Sequence, residues 1–520
     1  MILNLILFNI YLIMKKIMLF VCFSLVLTSI TTISLAQKVA AIDSAKSNLP
    51  KVEKFITRHN IKIDNKLINY TATVGTLIIK NELDEPIASF GYTAYMKDGE
   101  TDPVRRPVTF AYNGGPGSSS IFLHLGVLGP RRIVQPGGQA PFKLEDNNYS
   151  ILDVSDIVMI DPVGTGFSRP LGKSKNSDFW GVDQDIKSIS LFIKTFINDY
   201  EKWDSPKFLL GESYGTFRSA GIADYLQVNL GISLNGVVLV SNVVDIRIIS
   251  FNPGDDISFI AYLPTYAATS WYHNKLANKP ADLNAFLQEV RAYAFGEYAT
   301  ALMKGDQLSV QEREKELNKL VSYTGLSKDY LDKANLRVNQ PQFCQELLRD
   351  SSVSIGYYDS RFMGIAKNPL SEYPSNDPFS GIYPSFVSSL MDYYSTELKV
   401  SKDKIYNPNI EGFPDFKWDW KHERSNGLVF DVAMPNTAPD LLNAMSNNPR
   451  LKVLVLNGLY DLATPFAGTE YSFSHMGLNK KLKGNIIYKY YESGHMMYIH
   501  NETAAKFKKD VAEFISDCMK

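Results

Sequence analysis

Lys207-Phe208-Leu209-Leu210-Gly211-Glu212-Ser213-Tyr214-Gly215 is the stretch that decides the fold. Lys207 to Leu210 is a short, largely apolar run that reads as a buried strand. Thr216 to Gln227, just beyond, reads as a helix. A Gly-x-Ser-x-Gly between a strand and a helix has the form of a nucleophile elbow. The turn is so tight that small residues are needed two positions either side of Ser213. The serine then stands clear of the sheet, where a base can reach it. Five residues with two glycines also arise by chance. The pattern therefore carries weight only if an oxyanion hole, an acid and a histidine occur in the right order.

Upstream, Ile68 to Ile79 and Pro86 to Met96 alternate partially and predict two antiparallel strands. Pro107 to Tyr112 predicts a third, ending in Asn113-Gly114-Gly115-Pro116-Gly117. Asp156 to Ile160 is another short apolar strand, followed by Asp161-Pro162-Val163-Gly164-Thr165-Gly166. Val182 to Tyr200 has helical spacing, with apolar residues at Ile186, Ile189, Phe192, Ile193 and Phe196. Gly236 to Val240 is a further strand. Strand-then-helix alternation with short buried strands marks an α/β fold with a mostly parallel central sheet. The rhythm stops near residue 245 and resumes at Leu451 to Leu456 and Asn485 to Tyr491, before a closing helix over Asn501 to Ser516. The expected organisation is a core over 37–245, a long, largely helical insertion or cap over 246–435, and the rest of the core over 436–520.

The composition supports a large globular core: 520 residues, 45% hydrophobic and 21% charged. A formal net charge of −1 gives no reason to expect nucleic acid or an anionic membrane as a partner. Met14-Lys15-Lys16 followed by the apolar run Ile17 to Leu35, with Ser34-Leu35-Ala36 before Gln37, has the form of a secretory signal over residues 1–36. Met14 is an alternative start. The rival reading is an uncleaved membrane anchor, because the apolar run is long for a signal. Cleavage implies an exported protein, periplasmic or secreted, with no stable membrane association. Outside that segment only Cys344 and Cys518 remain, too few for a disulfide scaffold.

A serine hydroxyl is a weak nucleophile until a base takes its proton, and a carboxylate fixes that base's tautomer. In α/β-hydrolases the chain order is serine, acid, histidine. Asn457-Gly458-Leu459-Tyr460-Asp461 follows one predicted strand, and Glu492-Ser493-Gly494-His495 follows the next. Ser213, Asp461 and His495 thus occur in the required order, each just beyond a strand, where catalytic groups of open α/β sheets gather. His500 competes with His495 and Glu470 with Asp461, but each falls in or beside a helix. Gly114-Gly115 sits where lipases and esterases carry a glycine-rich oxyanion loop, so the N–H groups of Gly115 and Tyr214 are the expected oxyanion donors. Nothing in the sequence points to a metal or another cofactor.

Four blocks resemble the serine carboxypeptidases, peptidase family S10. They are Asn113-Gly114-Gly115-Pro116-Gly117-Ser118-Ser119, Asp161 to Ser168, Gly211 to Gly215, and Ser493-Gly494-His495-Met496. The resemblance implies an α/β-hydrolase fold and removal of C-terminal residues from peptides through an acyl-enzyme. It also implies that Asn113 and Glu212 hold the substrate's terminal carboxylate. Glutamate can donate to a carboxylate only when protonated, and a bound carboxylate would raise its pKa by like-charge repulsion.

Three departures from the family pattern stand out. The glutamate usual before Leu-Gly-Pro is Val127, ahead of Leu128-Gly129-Pro130. The usual cysteine after Gly-Gly-Pro-Gly is Ser118. Met496-Met497-Tyr498 replaces Met-Val-Pro. Together they suggest a divergent, bacterial-type branch. The expected partners are peptides with a free C-terminus. An esterase or acyltransferase on the same scaffold is the alternative, and an inactive binding protein the remote one.

Overall fold

Short strands buried along their whole length form the centre of one sheet with apolar residues on both faces. The computed structural model describes residues 2–20, 52–100, 102, 105–134, 136–423, 429–430 and 434–520. The principal strands are β1 (Lys54–Ile63), β2 (Lys66–Lys80), β3 (Pro86–Lys97), β4 (Val108–Tyr112), β5 (Asp156–Ile160), β6 (Lys207–Glu212), β7 (Gly236–Val240), β8 (Lys452–Gly458) and β9 (Ile486–Tyr491). Their order is β1-β2-β3-β5-β4-β6-β7-β8-β9. The first three strands and the β3/β5 pair run antiparallel, and every pairing from β5 to β9 is parallel. This is an α/β-hydrolase fold.

Residues of opposite parity along a strand serve opposite faces. Val237, Leu239, Leu209 and Val453 pack with Ile186, Phe192 and Phe217 from the helices Val182–Asp199 and Tyr214–Leu230. Val238, Phe208, Leu210 and Leu454 face the other way, against Phe507, Val511 and Phe514 of the closing helix Asn501–Cys518. With both faces covered, the parallel strands are continuous apolar runs.

The sheet begins one strand earlier than the sequence pattern suggests. In β1 only Ile61 and Ile63 are fully buried, so its apolar signal is too short to stand out. The elbow helix also starts at Tyr214 rather than Thr216, directly after the serine.

Between β7 and β8 the chain runs mainly through helices, among them Ile257–Tyr272, Leu283–Tyr293, Val310–Thr324 and Tyr383–Thr396. The first three build a core of their own with Ile260, Tyr266, Phe286, Leu320 and Phe343. Leu459, Tyr460 and Leu462 join that core from the loop after β8. The whole of Glu53–Lys520 is one compact unit.

The N-terminal unit holds a helix over Ile2–Phe20 with a mean hydropathy of 1.8, an apolar segment of the kind found in signal sequences. The expected cleavage region, Ser34 to Gln37, lies outside the described residues. Cys344 and Cys518 are both free thiols, so the two do not pair.

Candidate active site

Gly211 and Gly215 make the elbow possible. A Cβ on Gly211 would sit 2.1 Å from the Gly215 carbonyl oxygen, and one on Gly215 would sit 2.9 Å from the Tyr112 carbonyl oxygen. Between them Ser213 adopts φ 59° and ψ −129°, a conformation L-residues rarely hold. Such a backbone costs roughly 1–3 kcal/mol and persists only where its surroundings enforce it. Here the Ser213 N–H donates to the Val240 carbonyl at 3.0 Å, and Thr216 returns its N–H to the Ser213 carbonyl at 2.8 Å.

His495 and Asp461 arrive on the loops after β9 and β8. The His495 Nδ1–H donates to Asp461 Oδ2 at 2.8 Å, with the two side chains 3% and 0% exposed. Asp461 Oδ1 also accepts the N–H groups of Ala463 at 2.8 Å and Thr464 at 2.9 Å, and Oδ2 accepts the Thr464 hydroxyl at 2.7 Å. A carboxylate so fully occupied holds one orientation. It fixes the histidine tautomer with Nε2 unprotonated. Burial disfavours the protonated imidazole, but the Asp461 charge, its hydrogen bond and the Glu212 charge outweigh burial and hold the His495 pKa above its ordinary value.

The loop carrying His495 is tied down on both sides. Its N–H donates to the Tyr358 carbonyl at 2.7 Å, and its carbonyl accepts the Ser241 hydroxyl at 2.6 Å. Asp359, paired with Arg361, accepts the Gly494 N–H at 3.1 Å. The rivals lie elsewhere. Glu470 pairs with Arg291 at 3.0 Å and with Tyr490, and His500 precedes the closing helix.

The loop after β4 lies against the elbow. A Cβ on Gly114 would sit 2.5 Å from the Tyr214 amide nitrogen, so the backbones of the two expected oxyanion segments touch. Asn113 is oriented by its environment: its Oδ1 accepts the Leu123 N–H at 3.0 Å, which turns Nδ2 toward Glu212 Oε1 at 2.9 Å. Arg218, paired with Asp185 in the core, donates to the Asn113 carbonyl at 2.7 Å. Glu212 is 3% exposed. Burial pushes its pKa up to about 7, against the pull of His495, Tyr498 and Asn113. Here burial, rather than a neighbouring carboxylate, is the first cause of the rise.

Ser213, His495, Glu212, Asn113, Gly114 and Gly115 line one cavity of about 550 Å³. Tyr357, Tyr358, Phe379, Tyr383 and Glu411, all from residues 246–435, line it from the other side. Pattern reading missed these groups, together with Tyr498, whose hydroxyl donates to Glu212 Oε2 at 2.5 Å. Only the replacement of Met-Val-Pro by Met496-Met497-Tyr498 hinted at Tyr498. Among the described residues, no group of three or more His, Cys, Asp or Glu is placed to hold a metal ion.

An α/β sheet whose elbow serine and loop histidine line one cavity, with an aspartate hydrogen-bonded behind the histidine, defines a chain of the α/β-hydrolase class. The serine carboxypeptidase profile matches residues 91–252. A carboxypeptidase Y homolog A of Phaeosphaeria nodorum is 33% identical over 137 residues, 24% of each chain. A serine carboxypeptidase S10 family member of Dictyostelium discoideum is 23% identical over 352 residues, 63% of this chain and 76% of that one. The aligned region thus spans about a quarter of the first relative and three quarters of the second. The crystal structure of Kex1(Δ)p, a prohormone-processing carboxypeptidase from Saccharomyces cerevisiae, superposes with a TM-score of 0.53 at 17% identity. It covers 86% of this chain and 91% of that one. The match over residues 91–252 and these relatives support placing the chain with the serine carboxypeptidases of family S10.

Proposed function

We propose that this chain is an exported serine carboxypeptidase that releases C-terminal residues from peptides through an acyl-enzyme. Ser213 Oγ attacks the carbonyl carbon of the last peptide bond while His495 Nε2 takes its proton. The Gly115 and Tyr214 N–H groups stabilise the developing oxyanion. His495 then gives the proton to the departing amino group, and the C–N bond breaks. Water, deprotonated by His495, attacks the acyl-enzyme and frees the shortened peptide and Ser213. Asp461 orients His495 and offsets its positive charge.

Asn113 and protonated Glu212 hold the substrate's terminal carboxylate. The observation that carries the peptidase reading is this pair: a buried glutamate with a raised pKa, hydrogen-bonded to an oriented asparagine, in the cavity that holds Ser213. An esterase needs no such device. The apolar N-terminal helix supports export, with residues 1–36 as the signal and the periplasm or medium as the destination.

The test compares N-blocked dipeptides with free and amidated C-termini across about pH 4 to 8. The expected result is a preference of at least about tenfold for the free acid on the acid side of neutrality. Equal rates on both substrates throughout would overturn the carboxypeptidase reading in favour of the esterase or acyltransferase. Ser213→Ala should lower kcat by roughly 10⁴–10⁶-fold, and full activity in that variant would remove the nucleophile assignment.

A further inference from the structure

We propose that Tyr498 is the positioning residue of the Asn113–Glu212 pair: its phenol gives the glutamate a second fixed donor, so that recognition of a free C-terminus depends on one titrating group. The inference rests on the role assigned to Glu212 above.

The departures at Val127 and Tyr498 are far apart in sequence, and the turn that carries Val127 packs against the Tyr498 ring. Tyr498 is fully buried on the loop after His495. Its ring lies on a π-helical turn, His124–Leu128, that contains Val127. A Cβ on Gly126 would stand 2.3 Å from that ring, so Gly126 admits it. Val127 is itself fully buried and apolar.

The chemistry of a phenol differs from that of a carboxyl in one decisive respect. Burial, and then the Glu212 charge, push the Tyr498 pKa far above its ordinary value. Its hydroxyl is therefore a donor at every working pH. Tyr498 gives a hydrogen bond to Oε2 and Asn113 gives one to Oε1. Both bonds favour the ionised form of Glu212 and oppose burial, which favours the protonated form. The other charged groups facing Glu212 are His495, which favours its ionisation, and Asp461, which disfavours it. A second carboxyl at this place would share its proton with Glu212 and titrate with it. A phenol leaves a single proton to lose.

The test is Tyr498→Phe, which keeps the ring and removes only the hydroxyl. kcat/KM is measured against pH for an N-blocked dipeptide with a free C-terminus and for its amidated counterpart. Loss of a hydrogen bond to the ionised form should move the alkaline limb for the free acid upward by about one pH unit. On the acid plateau KM for the free acid should rise several-fold with kcat nearly unchanged, because Glu212 loses its fixed orientation. The amidated substrate should lose far less than the free acid, and an unchanged melting temperature reports that the variant is folded. Gly126→Ala, which displaces the ring without touching the substrate, should shift the two substrates in the same unequal way. Parallel losses on both substrates, or an unmoved limb in Tyr498→Phe, would overturn the proposal. If the wild-type protein itself fails to distinguish the two substrates, the fault lies with the reading of Glu212. If it does distinguish them and the limb stays in place, only the role of Tyr498 fails.

Discussion

Under the proposed mechanism, Glu212 and His495 set opposite pH limits on the same cavity. His495 must be neutral to accept the Ser213 proton, so activity falls as pH drops through its raised pKa. Glu212 must be protonated to meet a substrate carboxylate, so activity on free-acid peptides falls as pH rises through about 7. The two carry charge within one buried cluster and influence each other, so the limbs of the profile belong to the pair. Glu212→Gln separates them. Its amide keeps a donor in place at all pH values, and the alkaline limb for free-acid peptides should vanish while the acid limb remains. A pH–rate profile of that variant on a free-acid dipeptide checks this; an alkaline limb unchanged from wild type would assign it to another group. Residues of this kind were legible in part. Ser213, Asp461 and His495 stand in a fixed order after recognisable strands, so sequence suffices to nominate them. Tyr498 could be noticed only as an oddity, because its partner Glu212 lies 286 positions away.

At the level of elements, the strand-and-helix rhythm was readable wherever an element buries one face against the sheet. Gly236–Val240 falls where the pattern places it. The insertion was not readable in the same way, since its helices bury against one another. Besides Tyr383 at the start of the helix Tyr383–Thr396, a strap contributes to the site. Asn407 pairs with Gly166, the Ser119 N–H donates to the Pro408 carbonyl at 3.0 Å, and the Ile410 N–H donates to the Gly117 carbonyl at 3.0 Å. The Asn113 to Ser119 and Asp161 to Ser168 blocks therefore anchor this strap to the core and place Asn409 and Glu411 at the cavity. Glu411 is the one charged side chain that residues 246–435 add to the lining among the described residues. Set among Tyr357, Tyr358 and Tyr383, it suits a cationic side chain next to the scissile bond. Glu411→Gln should lower kcat/KM about tenfold for peptides carrying Lys or Arg there and leave Leu peptides unchanged. A competition assay with paired peptides decides it, and equal effects on both would show that Glu411 plays no part in selection.

Over the whole molecule, the two stretches of the core are held together by charge as well as by packing. His422 donates from Nδ1 toward Asp183 at 2.6 Å, in the helix Val182–Asp199, and from Nε2 toward Asp440 at 3.0 Å, in the helix Ala438–Asn447. Burial opposes its charge, yet the two carboxylates raise its pKa to about 9. A histidine pKa raised on folding stabilises the native state below its ordinary value near 6.5, and that contribution is lost as pH rises through about 9. With Asp183 partly exposed, the contribution is on the order of 2 kcal/mol. Thermal melting should therefore fall by about two degrees between about pH 6 and 9.5, and His422→Gln should flatten that dependence. A slope unchanged in the variant would place the linkage elsewhere. The sequence alone determined the α/β class, the positions of Ser213, Asp461 and His495, and the need for glycine at 211 and 215. Each of these follows from local rules of period, turn sterics and chain order. Only the tertiary structure decided what surrounds them: Tyr498 on Glu212, the strap that brings Glu411 to the cavity, and His422 between two helices. Those contacts join segments hundreds of residues apart, where complementarity in space leaves no periodic trace in the chain.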